Sequence, residues 1–285
     1  MIRSIPSRLL RLGFGLGCLW GSSLAAAAAP PQRVVSFNIC ADQLVVALAD
    51  PAQIVALSPY ATDPTLSAVA DEARAYRRVE WQAESTIPLE PDLVLVGPRD
   101  RSLTQRLLRA LGFRVVVIDL VESLSAAREQ ISAVAALLGH PERGDAALAR
   151  LDAARSRLAE RRRGASTALL VGQGGYVEGR RSLAAALMTE AGLNPPPAAP
   201  TGLGGFVPLE TLVMMRPDFL VLHSAVAVPH DQGSIYLTHP AVQALYPADR
   251  RLVLPSRFTL CGGPALVAGL GYLAEQVPKL GRGNP

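Results

Sequence analysis

A chain of 285 residues that is 49% apolar and 18% charged can build one large domain or two ordinary ones, and this composition excludes intrinsic disorder. Its pI near 9.2 points toward a polyanionic partner, but Arg3, Arg8 and Arg11 lie ahead of any folded segment. Residues 1–29 hold no acid, so the rest of the chain carries 25 basic against 24 acidic groups, and with only Arg161-Arg162-Arg163 as a basic run, read as a solvated helix end, nucleic acid is excluded as a partner.

The chain opens with three arginines, an apolar stretch from Leu12 to Leu24, and Ala25 to Ala29 before Pro30. These are the charged, apolar and small-residue regions of an export signal, which places the mature protein in the periplasm. Leu16-Gly17-Cys18 offers a lipid anchor at Cys18 as the alternative, although Gly15 stands where a leucine is usual. No other stretch is apolar over the roughly 20 residues needed to span a bilayer.

Arg33 to Phe37 reads as a first strand, followed by a helix from Asn38 through Ala49 that Asp50-Pro51 ends, then a second strand from Ile54 to Leu57 that stops at Ser58-Pro59-Tyr60. Arg78-Val79 leads to Trp81. Glu84 then opens a short apolar segment, Pro91-Asp92 falls seven residues on, and Leu93 to Val96 is a strand stopped by Gly97-Pro98-Arg99. A helix from Leu103 to Leu111 and a strand from Val115 to Ile118 complete an alternating pattern that favours a parallel α/β sheet. The middle is helical from Ser123 to Leu138 and again from Pro141 to Arg163. The second piece is long enough, at about 34 Å, to join two lobes as a stiff rod. The α/β pattern restarts at Thr167 to Val171, with the loop Gln173 to Tyr176, a helix from Leu183 to Ala191, and a Pro/Gly-rich loop from Asn194 to Gly205. Glu210, Pro217-Asp218 and the strand Phe219 to Leu222 follow, then a loop with His230, Tyr236 and His239, a helix from Ala241 to Leu245, a strand from Arg251 to Leu254, and a helix from Ala265 to about Gln276.

The stretches from Glu84 and from Glu210, 126 residues apart, therefore repeat one pattern of helix, turn and buried strand with identical spacing of Glu, Pro and Asp. Their prolines end each helix and favour an extended residue before them. The unbroken aliphatic runs read as strands covered on both faces. A duplicated unit of this kind predicts two similar lobes rather than one sheet.

In element order and in this repeat the chain, over residues 33–280, resembles the periplasmic substrate-binding proteins of ATP-binding-cassette (ABC) importers for ferric siderophores, haem and cobalamin. The resemblance implies two Rossmann-like α/β lobes with parallel sheets joined by one long helix, the class III periplasmic binding protein type. It divides the chain into a signal peptide at 1–29, an N-terminal lobe at 33–139, an interlobe helix at 140–164 and a C-terminal lobe at 165–285. It further implies a monomer that captures an iron–siderophore-type chelate, or cobalamin or haem, as cargo, with no intrinsic cofactor. Glu84 and Glu210 match the exposed glutamates by which that family docks onto its ABC permease. Taken singly, each is better read as a dipole partner in a first helical turn; taken as a pair at equal offsets in two lobes, they favour docking.

Ligand contacts are then expected between the lobes, outside the carboxyl ends of the strands. That rule nominates Cys40, Tyr60, Trp81, Arg99, Tyr176, His223, Tyr236 and Phe258, the aromatics as apolar walls and Arg99 with Arg101 for an anionic chelate. The bland alternative is that about half of these aromatics simply pack loops onto strands. Cys40 and Cys261 are the only thiols after the leader, and in an oxidising compartment a disulfide between them, free structural thiols and metal ligation are all open, in that order. The first lobe has no histidine, which weighs against a bare metal ion. No phosphate loop, HExxH or Gly-x-Ser-x-Gly elbow is present, and Lys279 is the sole lysine. An exported enzyme or a ligand sensor on a similar frame remains the rival from another class.

Overall fold

A computed structural model describes residues 29–162, 164–224 and 232–281. The expected export signal up to residue 28, with Cys18, and Arg163 and His230 lie outside them. In chain order the elements of the first half are β1 (Val34–Ser36), α1 (Ile39–Leu48), β2 (Ile54–Ala56), α2 (Ala70–Ala73), α3 (Ala83–Thr86), β3 (Leu93–Val96), α4 (Ser102–Ala110), β4 (Val115–Val117) and α5 (Leu124–Leu138). The second half holds α6 (Pro141–Arg161), β5 (Ser166–Leu170), β6 (Tyr176–Glu178), α7 (Leu183–Glu190), β7 (Leu193–Asn194), β8 (Gly204–Phe206), α8 (Leu209–Met215), β9 (Phe219–Leu222), α9 (Gln232–Thr238), α10 (Pro240–Leu245), β10 (Arg251–Val253) and α11 (Pro264–Gln276).

Two separate four-stranded sheets result, in the orders β2-β1-β3-β4 and β10-β9-β5-β7, with every pairing parallel. Read from its other edge, the second sheet runs β7-β5-β9-β10, so the second, first, third and fourth strands of each lobe stand in the same order. The duplication therefore extends from a short motif to a whole sheet. The hairpin of β6 with β8 is an addition to the second lobe that the sequence reading assigned to loops.

Within the repeat the two lobes share one device, an aspartate that accepts from the backbone at the start of the neighbouring strand. The Asp92 carboxylate accepts from the backbone N–H of Gln32 (2.6 Å) and Arg33 (2.9 Å), at the entrance to β1. The Asp218 carboxylate accepts from the N–H and the hydroxyl of Thr167 (both 2.8 Å), at the same place on β5. Each aspartate thus fixes the neighbouring parallel strand in register, and each repeat strand is buried along its whole length. The residue before each proline is not extended, as the sequence suggested, but left-handed: Glu90 has φ 47° and Arg216 φ 42°. A helical segment of seven residues must reverse into a strand within three residues, and the left-handed turn at its end makes that reversal; the proline then follows where no helix continues.

The long connecting helix α6 is packed along α5 rather than standing free. Ser123 caps α5 by accepting from Ala126 N–H, Gly139 ends it at φ 86°, and Pro141 starts α6 where its missing N–H costs nothing. A methyl on Gly144 of α6 would stand 2.7 Å from the Ala135 Cβ of α5, so glycine is what allows the two axes to approach. Leu124 and Ala127 of α5 and Leu151, Ala154 and Leu158 of α6 are buried in the core of the second lobe. Ile131, Val134, Ala135 and Leu138 of α5 belong to that of the first. One helical pair is therefore shared by two cores, which couples the lobes through packing.

The lobes also meet where α1 and α11 begin. Cys40, in the first turn of α1, is disulfide-bonded to Cys261, two residues before the N-cap of α11, across 221 positions of sequence. Arg257 donates to the carbonyl of Pro64 (3.1 Å), a second tie between the lobes.

Beside this junction lies a buried acid. Asp42 of α1 is fully inaccessible and accepts from the Ser58 N–H (3.0 Å) and the Ser58 hydroxyl (2.5 Å), joining α1 to the end of β2. Burial pushes its carboxyl up to about 6 against the smaller downward pull of Ser36 and Ser58. The folded chain then holds this proton more tightly than the unfolded chain, so stability falls as pH rises from about 3.8 to about 6 and levels off above. The expected contribution of Asp42 is a loss on the order of 2–3 kcal/mol across that window. Urea unfolding between pH 4.5 and 7 measures it as the difference between wild type and Asp42→Asn; parallel profiles would contradict it.

Candidate functional site

The carboxyl ends of β1, β2 and β3 present a wall built around Trp81. The indole N–H donates to the Phe37 carbonyl (2.9 Å), and the Thr104 hydroxyl donates to the Trp81 carbonyl (3.0 Å), which fixes the ring between the end of β1 and α4. Tyr60, half-exposed on the turn after β2, stands with its ring 5.2 Å from Trp81. The guanidinium of Arg101 lies 4.8 Å from the Trp81 ring centroid, a cation–π arrangement. Two adjoining concavities share Trp81 and Arg101. One, of about 490 Å³, also holds the exposed Arg99; the other, of about 270 Å³, is lined further by Asn38, Tyr60 and Asp100.

The loop that carries these arginines is tightly made. Asp100 accepts from the Gly97 N–H and from the Asn38 amide (both 2.8 Å), while Asn38 accepts from the Cys40 N–H (2.9 Å) as the cap of α1. A Cβ on Gly97 would come within 2.6 Å of the Asn38 amide, so the close approach requires glycine there. Gln105 donates to the Gly97 carbonyl (3.0 Å) from α4. Arg101 itself is left-handed at φ 44°, an uncommon conformation for a side chain of its size, and it heads α4 with no side-chain cap. Asn38 and Gly97 hold the Asp100 carboxylate in place without cancelling its charge, so Arg99 and Arg101 together leave this wall with an excess of one positive charge.

The residues nominated in the second lobe separate into two groups. Tyr176, at the start of β6, packs edge-on to Phe206 of β8 at 5.6 Å, and Phe206 is 76% exposed. This aromatic pair stands on the hairpin that the sequence did not reveal, and Phe206 was missed with it. His223 follows β9 and is half-buried, with Nδ1 3.2 Å from the Leu254 carbonyl. Tyr236 on α9 packs against Gly175, whose added Cβ would lie 2.6 Å from the ring, and its hydroxyl donates to the Pro208 carbonyl (3.4 Å). Burial, with the Glu210 charge as a smaller cause, pushes the Tyr236 phenol up to about 12, so it stays a neutral donor that braces the hairpin.

Phe258 differs from its expected place. It is 7% exposed and belongs to the core of the second lobe, its ring 5.4 Å from that of Tyr272, because the short helical turn Ser256–Phe258 swings it inward. The Arg257 guanidinium lies over the Phe258 ring, 4.8 Å from its centroid. Cys40, being half of a disulfide, has no thiolate to give a metal. His140 lies at the α5–α6 turn near Asp50 (3.2 Å), and His239 caps α10. Among the described residues no three His, Cys, Asp or Glu side chains converge, and no helix is long and apolar enough to cross a membrane. Glu84 and Glu210 sit in the first turns of α3 and α8, both exposed and without an ion pair among the described residues.

Two parallel α/β lobes sharing a long helix, with their strand ends turned to a junction of loops, define the class III periplasmic binding architecture. The chain belongs to the periplasmic binding protein family, whose model matches residues 34–238. Solved structures agree in fold. A periplasmic haem-binding protein from Pseudomonas aeruginosa is 22% identical with a TM-score of 0.70, covering 90% of this chain and 95% of its own. The haem-binding protein RhuT from Roseiflexus sp. RS-1 is 23% identical with a TM-score of 0.70, covering 87% and 98%. The vitamin B12-binding protein BtuF of Vibrio cholerae is 17% identical with a TM-score of 0.65, covering 86% and 96%. No curated protein sequence matches the chain.

Proposed function

We propose that this chain is the substrate-binding component of an ABC importer, exported on residues 1–29, which takes up a metal chelate of the iron–siderophore type between its lobes. The lobes divide at 33–139 and 165–285 around the helix at 140–164. Cobalamin and haem are ligands of the same shape class, and the fold neighbours named for them support their inclusion.

The observation that carries the reading is the wall of Trp81, Tyr60 and Arg101 beside the interlobe junction: a fixed aromatic face next to cationic groups suits a large cargo with an apolar face and an anionic rim. The chelate arrives with its donors already satisfied, so the protein need only hold its periphery and act without catalysis. Glu84 and Glu210 would dock the loaded protein onto the permease, where exposed charge pairs orient and hasten encounter more than they hold.

Protein purified from the periplasm without denaturation tests the reading through absorbance and intact-complex mass. The expected result is a metal-bearing small molecule retained at up to one per chain, or its specific uptake by emptied protein. Emptied protein that binds neither a ferric siderophore nor haemin nor cyanocobalamin would overturn it.

A further inference from the structure

The duplication assigns more to the docking face than its two carboxylates. Residues 83–89 and 209–215 are equivalent helical segments. Each is followed by a left-handed residue, a proline, a strand-clamping aspartate and a buried strand, and the two clamps and the two strands coincide in role. On this alignment Ile87 and Pro88 match Val213 and Met214, three and four positions after Glu84 and Glu210, which is one helical turn along the same face. Pro88 and Met214 are both exposed, Met214 at 74%, Ile87 is 37% exposed, and Val213 is half-buried. Both lobes therefore set a bare carboxylate beside an uncovered apolar step. The aliphatic strands of the repeat are buried along their whole length in both lobes, so the uncovered apolar side chains lie on the helical segment and not on the strand.

We propose that the pairs Ile87–Pro88 and Val213–Met214 are apolar ledges that dock with Glu84 and Glu210 against the importer's membrane component. The inference rests on the docking reading above and names what that surface must offer: a guanidinium beside an apolar socket, presented twice, as two identical subunits would present it. An exposed carboxylate–guanidinium pair is screened and weak by itself, whereas apolar area desolvated around a charge gives an interface its retention. Methionine suits such a step because its unbranched thioether adapts to the surface it meets.

The test uses mature, cargo-loaded protein and the importer complex in nanodiscs, with binding followed by interferometry. Met214→Gln, which lies on the surface and leaves the fold and the cargo wall untouched, is expected to weaken association at least fivefold, chiefly through faster dissociation, with cargo affinity unchanged. Ile87→Ser is expected to do the same from the other lobe. Glu84→Arg with Glu210→Arg is the separate arm for docking itself and is expected to abolish association. Loss in that arm with Met214→Gln and Ile87→Ser both within twofold of wild type would overturn the ledges and leave docking standing. No loss in any arm would overturn docking and the ledges together.

Discussion

Replacing both bridge cysteines, as Cys40→Ser with Cys261→Ser, is expected to lower the unfolding temperature by roughly 5–15 °C. The bond closes a loop across 221 positions, so it removes more freedom from the unfolded chain than a local bridge does. Loss of a native disulfide costs about 2–5 kcal/mol, and in a chain of this size each kcal/mol moves the midpoint by roughly 2–4 °C. The place of the bond adds to its effect. It joins the first turn of α1, whose cap Asn38 also holds Asp100 of the ligand wall, to the start of α11 in the other lobe. Thermal unfolding of the oxidised wild type and the double variant measures the difference. Coincident midpoints, or two free thiols at Cys40 and Cys261 in unreduced protein, would contradict the assignment.

Removal of the Trp81 ring is expected to weaken cargo binding by about 30-fold, equivalent to roughly 2 kcal/mol for an aromatic face buried against a ligand. The ring is held by its hydrogen bond to Phe37 and by its backbone link to Thr104, so it reaches the ligand already oriented. Arg101→Ala acts differently. Its guanidinium now rests on the indole, and its loss is expected to weaken an anionic chelate about tenfold, roughly 1.4 kcal/mol, while leaving neutral cyanocobalamin within twofold. Calorimetric titration distinguishes the two residues. Equal losses for charged and neutral cargo at Arg101 would assign it to packing rather than to charge recognition.

Most of the frame was legible because its signals are local. Leu93 to Val96 and Phe219 to Leu222 have no polar alternation, so only a strand buried on both faces fits them. Ser123, Gly139 and Pro141 delimit α5 and α6 by capping chemistry that depends on no distant contact. The hairpin of β6 and β8 was not legible, since Gly204-Gly205 carries no strand preference and the pairing is made by residues 26 or more positions away. The left-handed Glu90 and Arg216 run against the usual preference before proline, because the geometry of the reversal outweighs it. For the site, the rule that ligands gather at strand ends nominates loops and carries no information on the direction of each side chain. Among the residues it nominates, Tyr60 and Trp81 stand together beside Arg101 on a concave surface, whereas the Phe258 ring completes a core. The stacking of Arg101 on Trp81 could not be read from sequence, since it depends on the left-handed turn that starts α4.

The chain has two tryptophans, Trp20 and Trp81, so in protein produced from residue 30 onward, without the proposed export signal, the indole fluorescence reports the Trp81 wall alone. Titration of emptied protein with a ferric siderophore, haemin and cyanocobalamin, read as quenching of that single indole, tests the central claim most directly. Saturable quenching at one equivalent by at least one of the three, with micromolar or tighter affinity, is the predicted result. Fluorescence unchanged by all three would contradict a chelate-binding groove at Trp81.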